Sequence, residues 1–213
     1  MSTTSSSSSA AAKTRLTVAG LHRGFGRLKV LRGVDAEVES GEILLVTGAN
    51  GSGKSTLLRC LAGLMAPQKG RIEVRVGGRL LSIEERRREV GFLSPELRLY
   101  DELTTLENLQ FFCRLRRLDP ARASDLLGRL GLPEDRQAGF LSSGMRQRLR
   151  WAFALLHRPS FLLLDEPLQN LDAPGRAQVS ALLDEFLEDG LAVVANPERI
   201  GLPRPEKKLE LGS

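Results

Sequence analysis

The segment Gly48-Ala49-Asn50-Gly51-Ser52-Gly53-Lys54-Ser55-Thr56 has the residue types and spacing needed to hold a chain of phosphates. Its glycines allow backbone N–H groups to approach phosphate oxygens, and a helix that starts here favours an anion. Lys54 supplies a mobile cation for the β- and γ-phosphates, and the Ser55 hydroxyl is a ligand for Mg²⁺. The alternative is a Gly-rich turn without function. Because the segment lies between a predicted buried strand and a predicted helix, we interpret it as a nucleotide phosphate site.

A second polar group ends an apolar strand, where Asp165, Glu166 and Pro167 follow Phe161-Leu162-Leu163-Leu164. A strand that ends in this way places Asp165 near Ser55, where its carboxylate is a second ligand for Mg²⁺. Glu166 is the candidate base that orients the attacking water or accepts its proton. The alternative is an acidic pair that caps a helix. Beside the phosphate segment, the two carboxylates predict nucleotide hydrolysis.

Strands and helices alternate around these residues. Strands are predicted at 16–19, 30–38, 43–47, 71–76, 161–164 and 191–195, and helices at about 54–64, 145–157 and 178–187. Apolar residues between about 95 and 139 recur only at helical spacing, which predicts a helical arm of two or three helices inserted in the core. The pattern predicts an α/β fold with a mainly parallel sheet covered on both faces.

The bulk composition limits the class of protein. The 213 residues are 41% hydrophobic and 27% charged, which is typical of a globular protein. Cys60 and Cys113 predict buried thiols, because they form neither a disulfide framework nor a zinc pattern. No run reaches the about 18 apolar residues that span a bilayer, and residues 1–12 predict a disordered Ser/Ala tail. The net charge is +5, and arginines cluster at 86–88 and at 114, 116 and 117. Such clusters predict solvated faces, or contacts with anionic lipid, an acidic partner or nucleic acid.

Two further segments lie on either side of the acidic pair, Leu141-Ser142-Ser143-Gly144-Met145-Arg146-Gln147-Arg148 before it and Asn170-Leu171-Asp172 after it. The first is similar to the signature motif, and the second to the D-loop, of the ATP-binding-cassette ATPases of membrane transporters, which the chain therefore resembles. The resemblance extends from about Leu16 to Val194. It implies a P-loop NTPase core with an antiparallel β region on the N-terminal side, one ATPase domain over residues 13–213, and a helical arm at about 95–144.

The resemblance also implies the cofactors and partners. ATP and Mg²⁺ are the expected cofactors, and Phe25 occupies the place of an aromatic that stacks on adenine, although it could instead be a core residue. Two copies, or this chain and a second ATPase of the family, would pair head to tail. Ser142, Ser143, Gly144 and Met145 of one chain then cap the γ-phosphate held by the other. A separate integral-membrane permease would hold the pair at the cytoplasmic face, through the arm and the groove near Glu96, and ATP hydrolysis would drive a translocase. No nucleic acid is expected.

Two positions depart from the family pattern. A Gln that senses Mg²⁺ and the attacking water is absent from residues 91–96, and Glu96 is the closest polar substitute. The His that contacts the γ-phosphate is replaced by Asn196, which can donate an amide hydrogen bond but has no imidazole proton chemistry. We therefore expect slower hydrolysis that still depends on Glu166.

Three functions stay open. The first is the ATPase subunit of a transporter, where the subtype most like this chain is the haem exporter of cytochrome c maturation, with drug and lipid exporters close behind. The second is a soluble ATPase of the same superfamily that acts on ribosomes or DNA. The third is a nucleotide-dependent module that no longer hydrolyses ATP, which the changes at Glu96 and Asn196 favour.

Overall fold

A five-stranded parallel sheet carries the candidate site, with strand order β6-β7-β8-β3-β9. The structure is a computed structural model that describes residues 13–198, 200–202, 204 and 206–212. The sheet strands are β3 (Ile43–Thr47), β6 (Val90–Leu93), β7 (Phe161–Asp165), β8 (Leu191–Ala195) and β9 (Glu206–Glu210). The predicted tail, residues 1–12, lies outside the described residues.

An antiparallel sheet of order β2-β1-β4-β5 packs on one side of the parallel sheet. Its strands are β1 (Thr14–Phe25), β2 (Leu28–Glu39), β4 (Lys69–Val76) and β5 (Arg79–Leu80). The predicted α/β class and its antiparallel region on the N-terminal side are confirmed.

The helices cover the two faces of the parallel sheet unequally. Their bounds are α1 (Lys54–Leu61), α2 (Ile83–Glu89), α3 (Thr105–Arg116), α4 (Ala121–Arg129), α5 (Ser143–Leu155) and α6 (Ala173–Phe186), with a 3₁₀ turn at Ala138–Phe140. Helix α1 shares its apolar cluster with the antiparallel sheet, and α3 to α6 share the other cluster. Between β6 and β7 the described chain contains only helices, turns and one isolated bridge, as the predicted arm requires.

The central strands are apolar along their whole length because both faces are buried. In β8, for example, Val193 belongs to the cluster that contains α1, and the adjacent Val194 belongs to the cluster that contains α5. The same alternation in β3 and β7 fixes the register of all three strands. Their carboxyl ends therefore meet at one edge, next to the loop that leads into α1.

Several predicted boundaries were wrong. Helix α1 ends at Leu61 instead of about 64, and α6 begins at 173 instead of 178, where Asp172 accepts a hydrogen bond from the N–H of Gly175 at 2.9 Å. This cap also means that the acidic pair Asp165 and Glu166 does not cap α6. Strands β5, β6 and β9 and helix α2 were not predicted.

Candidate functional site

The loop from Gly48 to Gly53 joins the end of β3 to the start of α1, and side chains at two of its glycine positions would clash with neighbouring atoms. At Gly48, φ is 146°, and a Cβ would lie 2.4 Å from the carbonyl oxygen of Leu211 and 2.7 Å from Oγ of Ser52. At Gly53, φ is 104°, and a Cβ would lie 2.6 Å from Val30. Glycine is therefore required at both positions.

This loop presents donors that have no acceptor in the described part of the chain. The N–H groups of Gly53, Lys54 and Ser55 belong to the helix start and make no such bond, and Oγ of Ser52 is buried without a partner. The ammonium of Lys54, itself buried, donates to the carbonyl oxygens of Gly48 at 2.6 Å and Ala49 at 2.9 Å. Unpaired donors and a cation around one loop fit the phosphates of a nucleotide.

The carboxylate of Asp165 lies at the adjacent end of β7 and is 5% exposed. Burial raises its pKa, and Glu96 acts in the same direction, while the nearby Ser55 hydroxyl and the positive charges of Lys54 and Arg59 lower it. Within 4 Å, no cationic group of the described residues pairs with it. A buried carboxylate beside a hydroxyl is an oxygen donor set of the kind that Mg²⁺ binds, so these residues fit the expected ion.

Glu96 lies after β6 in the loop that leads to the arm. Its side chain is 73% exposed and pairs with Arg59 of α1, and its N–H donates to Oγ of Ser94 at 3.2 Å. The negative charge of Glu96 acts to raise the pKa of Asp165. Its predicted role in metal binding stays a prediction.

Glu166 has a left-handed backbone, with φ at 49°. Its N–H donates to the carbonyl oxygen of Ala195 at 2.9 Å, which ties it to the end of β8. Nε2 of Gln169 donates to the Glu166 carboxylate at 2.8 Å. A left-handed conformation of a residue other than glycine is strained and is often found at functional sites. The geometry holds the Glu166 carboxylate at the same edge as the phosphate loop.

Asn196 follows β8, and its N–H donates to the carbonyl oxygen of Val46 at 3.0 Å, next to the phosphate loop. Glu166 and Asn196 both line a cleft of about 420 Å³. The Asn196 amide donates to the carbonyl oxygen of Glu198 at 2.8 Å. The cleft therefore brings together the candidate base Glu166 and Asn196, the predicted contact of the γ-phosphate.

Gln147 was not predicted as a site residue, although it connects the parts of the site. It is 3% exposed, and its amide donates to the carbonyl oxygens of Glu166 and Pro167 at 3.1 Å each. Its own oxygen accepts from Arg150 at 3.2 Å, and Arg150 also donates to the carbonyl oxygen of Leu97 at 3.3 Å. We call this chain of hydrogen bonds the Gln147 relay. It runs from the backbone of Glu166 to the loop that contains Glu96.

The signature-like segment forms the start of α5. Ser142 caps the helix by accepting from the N–H of Met145 at 3.2 Å, and Ser142 and Ser143 are exposed. A Cβ on Gly144 would lie 2.8 Å from the carbonyl oxygen of Asn170, so this glycine allows close packing on the D-loop segment. In the described residues no hydrogen bond or ion pair joins residues 142–145 to the phosphate loop. The helix start is thus free to meet an anion from another molecule.

Phe25 lies at the end of β1 and is 47% exposed, so it is not a core residue. The guanidinium of Arg23 lies 5.2 Å from the centre of its ring. An exposed aromatic ring is able to stack on a base.

Comparison with known proteins identifies the family. The family model described as "ABC transporter" matches residues 31–169, which is more than half of the chain. The chain belongs to the ABC transporter family. The match contains the phosphate loop, both carboxylates and the signature segment.

The curated relatives differ in their named roles. The chain is 35% identical over 178 residues to the sn-glycerol-3-phosphate import ATP-binding protein UgpC of Cereibacter sphaeroides. The aligned region covers 80% of this chain and 50% of that protein. It is 39% identical over 189 residues to the daunorubicin resistance ATP-binding protein DrrA3 of Streptomyces coeruleorubidus, and the aligned region covers 86% of this chain and 60% of that protein. The chain spans about half the length of the first of these relatives.

Solved structures share the fold. A dimeric ATP-binding cassette, MJ0796, in a post-hydrolysis state bound to ADP and Pi is similar with a TM-score of 0.73 and 26% identity, over 86% of this chain and 88% of that one. An ATP-binding subunit of an ABC transporter is similar with a TM-score of 0.75 and 28% identity, over 85% and 79%. The fold is that of an ABC ATPase domain. No helix in the described residues is long and apolar enough to cross a bilayer.

Proposed function

We propose that this chain is the ATP-binding and ATP-hydrolysing subunit of an ABC membrane transporter. One observation carries the proposal: the hydrogen-bond donors of residues 48–55, the buried Asp165 and the strained Glu166 all lie at one edge of the parallel sheet. A binding site alone would not need Glu166 in a strained conformation, held by Gln169 next to the cleft of Asn196.

Each residue has a distinct task in the proposed reaction. The backbone N–H groups of the loop and Lys54 bind the β- and γ-phosphates. Ser55 and Asp165, with Glu96 nearby, would hold Mg²⁺, which neutralises phosphate charge when bound. Glu166 orients the attacking water and accepts its proton. The amide of Asn196 donates to a γ-phosphate oxygen, which requires it to leave the carbonyl of Glu198. Phe25 stacks on the adenine.

A second nucleotide-binding subunit completes the proposed site. Exposed Ser142 and Ser143 at a helix start suit an anion, yet no hydrogen bond among the described residues joins them to the phosphate loop of their own chain. The dimeric form of the similar cassette MJ0796 supports pairing. We infer a head-to-tail dimer of two copies, or of this chain and a related ATPase, in which residues 142–145 of one chain meet the γ-phosphate held by the other.

The partner in the membrane is proposed to be a separate permease. An apolar groove between the core and the arm supports this, with Phe92, Phe112 and Phe153 on its walls and Leu64, 59% exposed, among its lining residues. The chain would lie at the cytoplasmic face of the membrane and act as a translocase ATPase. The relatives include an importer and a resistance protein, and the similarity to haem exporters stays a prediction.

A second candidate, a nucleotide switch with little hydrolysis, is favoured by one observation. Glu96 pairs with Arg59 and Asn196 binds the carbonyl of Glu198, so both substitutes for the expected sensors are engaged with the protein itself. A turnover measurement separates this candidate from the first.

Mixed dimers test the shared site. Lys54→Ala removes the cation at the phosphates. Ser143→Asp places a negative charge where the γ-phosphate of the other chain is expected, and an acidic residue is compatible with the first turn of a helix. Each variant alone is expected to hydrolyse ATP at least tenfold more slowly, while a mixture regains activity because one site per mixed dimer is intact. Ser143→Asn is the uncharged control. A mixture as inactive as its components would contradict sharing between copies of this chain.

A further inference from the structure

Five arginines lie around two adjoining depressions on the outside of the arm, and we call this surface the arginine face. Arg87 and Arg116 line the apolar groove, and Arg117, Arg122 and Arg158 line the neighbouring depression of about 620 Å³. The two depressions share Leu156 and His157 as lining residues, so the surface is continuous.

The arginine face lacks neutralising partners. None of its five guanidinium groups has a carboxylate within 4 Å among the described residues, whereas arginines elsewhere, such as Arg71 and Arg79, are paired with glutamates. Asp119 and Asp125 are the acidic residues that line the depression, and Asp119 accepts from the N–H of Ala121 at 2.9 Å. A net positive charge therefore remains at this surface.

Three of these arginines are fixed by backbone carbonyls. Arg87 donates to Gly63 at 2.9 and 2.7 Å, Arg116 to Arg88 at 3.3 Å, and Arg122 to Leu155 and Leu156. The contact of Arg116 with Arg88 joins the end of α3 to the end of α2. These carbonyls hold the three guanidinium groups in place and leave their formal positive charges.

The other two arginines have left-handed backbone conformations. Arg117 has φ at 57° and Arg158 has φ at 53°, where glycine or asparagine is usual. Arg117 is the C-cap of α3, where a left-handed residue is a regular way to end a helix. Both exposed arginines line the same depression.

We propose that the arginine face binds anionic phospholipid headgroups of the membrane beside the permease. The charge is spread over the ends of α2 and α3, the start of α4 and the turn after α5, which suits an extended anionic surface better than a single carboxylate. This inference rests on the proposed position of the chain at the membrane, and it does not depend on ATP hydrolysis.

Vesicle binding of the double variant Arg117→Asn/Arg158→Asn tests the proposal. Asparagine suits the left-handed backbone, so the fold should be kept while two charges are lost. The control Arg71→Gln/Arg79→Gln removes the same charge from the antiparallel sheet. Binding is measured by co-sedimentation with phosphatidylcholine vesicles that contain one quarter phosphatidylglycerol, and with pure phosphatidylcholine vesicles.

We expect the wild type to prefer the anionic vesicles, the face variant to bind them on the order of tenfold more weakly, and the control to change less than about twofold. A thermal unfolding midpoint at or above that of the wild type shows that the face variant is folded. Equal binding by face variant and control would overturn the proposal, as would equal binding of the wild type to both kinds of vesicle. A face variant that binds vesicles normally but no longer co-purifies with a permease would also overturn it, and would assign the surface to a protein.

Discussion

Replacing Gln147 by leucine tests whether the Gln147 relay positions Glu166. Leucine has a similar size but removes both donors, at 3.1 Å each, from the carbonyl oxygens of Glu166 and Pro167. Each carbonyl keeps one other partner, the N–H of Gln169 for Glu166 and the indole of Trp151 for Pro167. Leucine also removes the oxygen that accepts from Arg150 at 3.2 Å. The cost is therefore that of three hydrogen bonds, about 3 kcal/mol in the free energy of unfolding, and the two carbonyls add no penalty because each stays paired.

The same substitution should slow hydrolysis on the order of tenfold with unchanged ATP affinity, because a carboxylate that acts on water loses rate when it is displaced by a fraction of an ångström. Phosphate release and ATP binding are measured together with urea unfolding. Trp151→Phe is the matched control, since it removes a bond to Pro167 only and should lower stability but change the rate less than about twofold. If Gln147→Leu hydrolysed ATP at the wild-type rate despite the expected loss of stability, the positioning role would be refuted.

Three further substitutions give separable outcomes. Gly48→Ala should abolish ATP binding measured by calorimetry, because its Cβ would lie 2.4 Å from the carbonyl oxygen of Leu211 and the loop would have to change shape; retained binding would contradict the loop geometry. Burial, with a smaller effect of Arg116, lowers the pKa of His157 to about 4. Between about pH 6.5 and pH 4 the unfolded chain therefore binds a proton that the folded chain does not bind, and the free energy of unfolding falls as the pH drops. His157→Gln keeps a donor for the carbonyl of Val90. Between pH 7 and pH 4.5 its free energy of unfolding, measured with denaturant, should fall by about 2 kcal/mol less than that of the wild type; an equal fall would argue against this burial effect. Asn196→His should raise phosphate release severalfold, and an unchanged rate would remove Asn196 as the cause of slow turnover.

The parallel core was predictable because its signals are local. Continuous apolar runs identify β3, β7 and β8, and Gly51, Gly53 and Lys54 mark the loop between β3 and α1. The cap of α2 was also visible in the sequence, since Ser82 and Glu85 form a capping box. Strand β9 was not predictable in the same way, because Glu206-Lys-Lys-Leu-Glu210 is polar and is defined by its pairing with β3.

The site was only partly predictable for a related reason. Motif residues such as Lys54 and Asp165 are recognisable by type and spacing, but Gln147 and Gln169 act through contacts with the main chain and side chain of Glu166. Gln147 lies in the signature-like segment, but the sequence does not show that its side chain is buried or which carbonyls it contacts. Its position becomes informative only when the turn after β7 is placed against α5.

The most direct test of the central claim is phosphate release from ATP and Mg²⁺ by the purified protein, alone and with its permease, compared with Glu166→Gln. This variant keeps the size of the side chain and can still be held through Gln169, but it cannot accept a proton. We predict slow wild-type release, and at least a hundredfold less in the variant with ATP binding retained. Equal rates for the two proteins, with or without the permease, would contradict the assignment of Glu166. Wild-type release no faster than in a protein-free control would leave only a nucleotide switch.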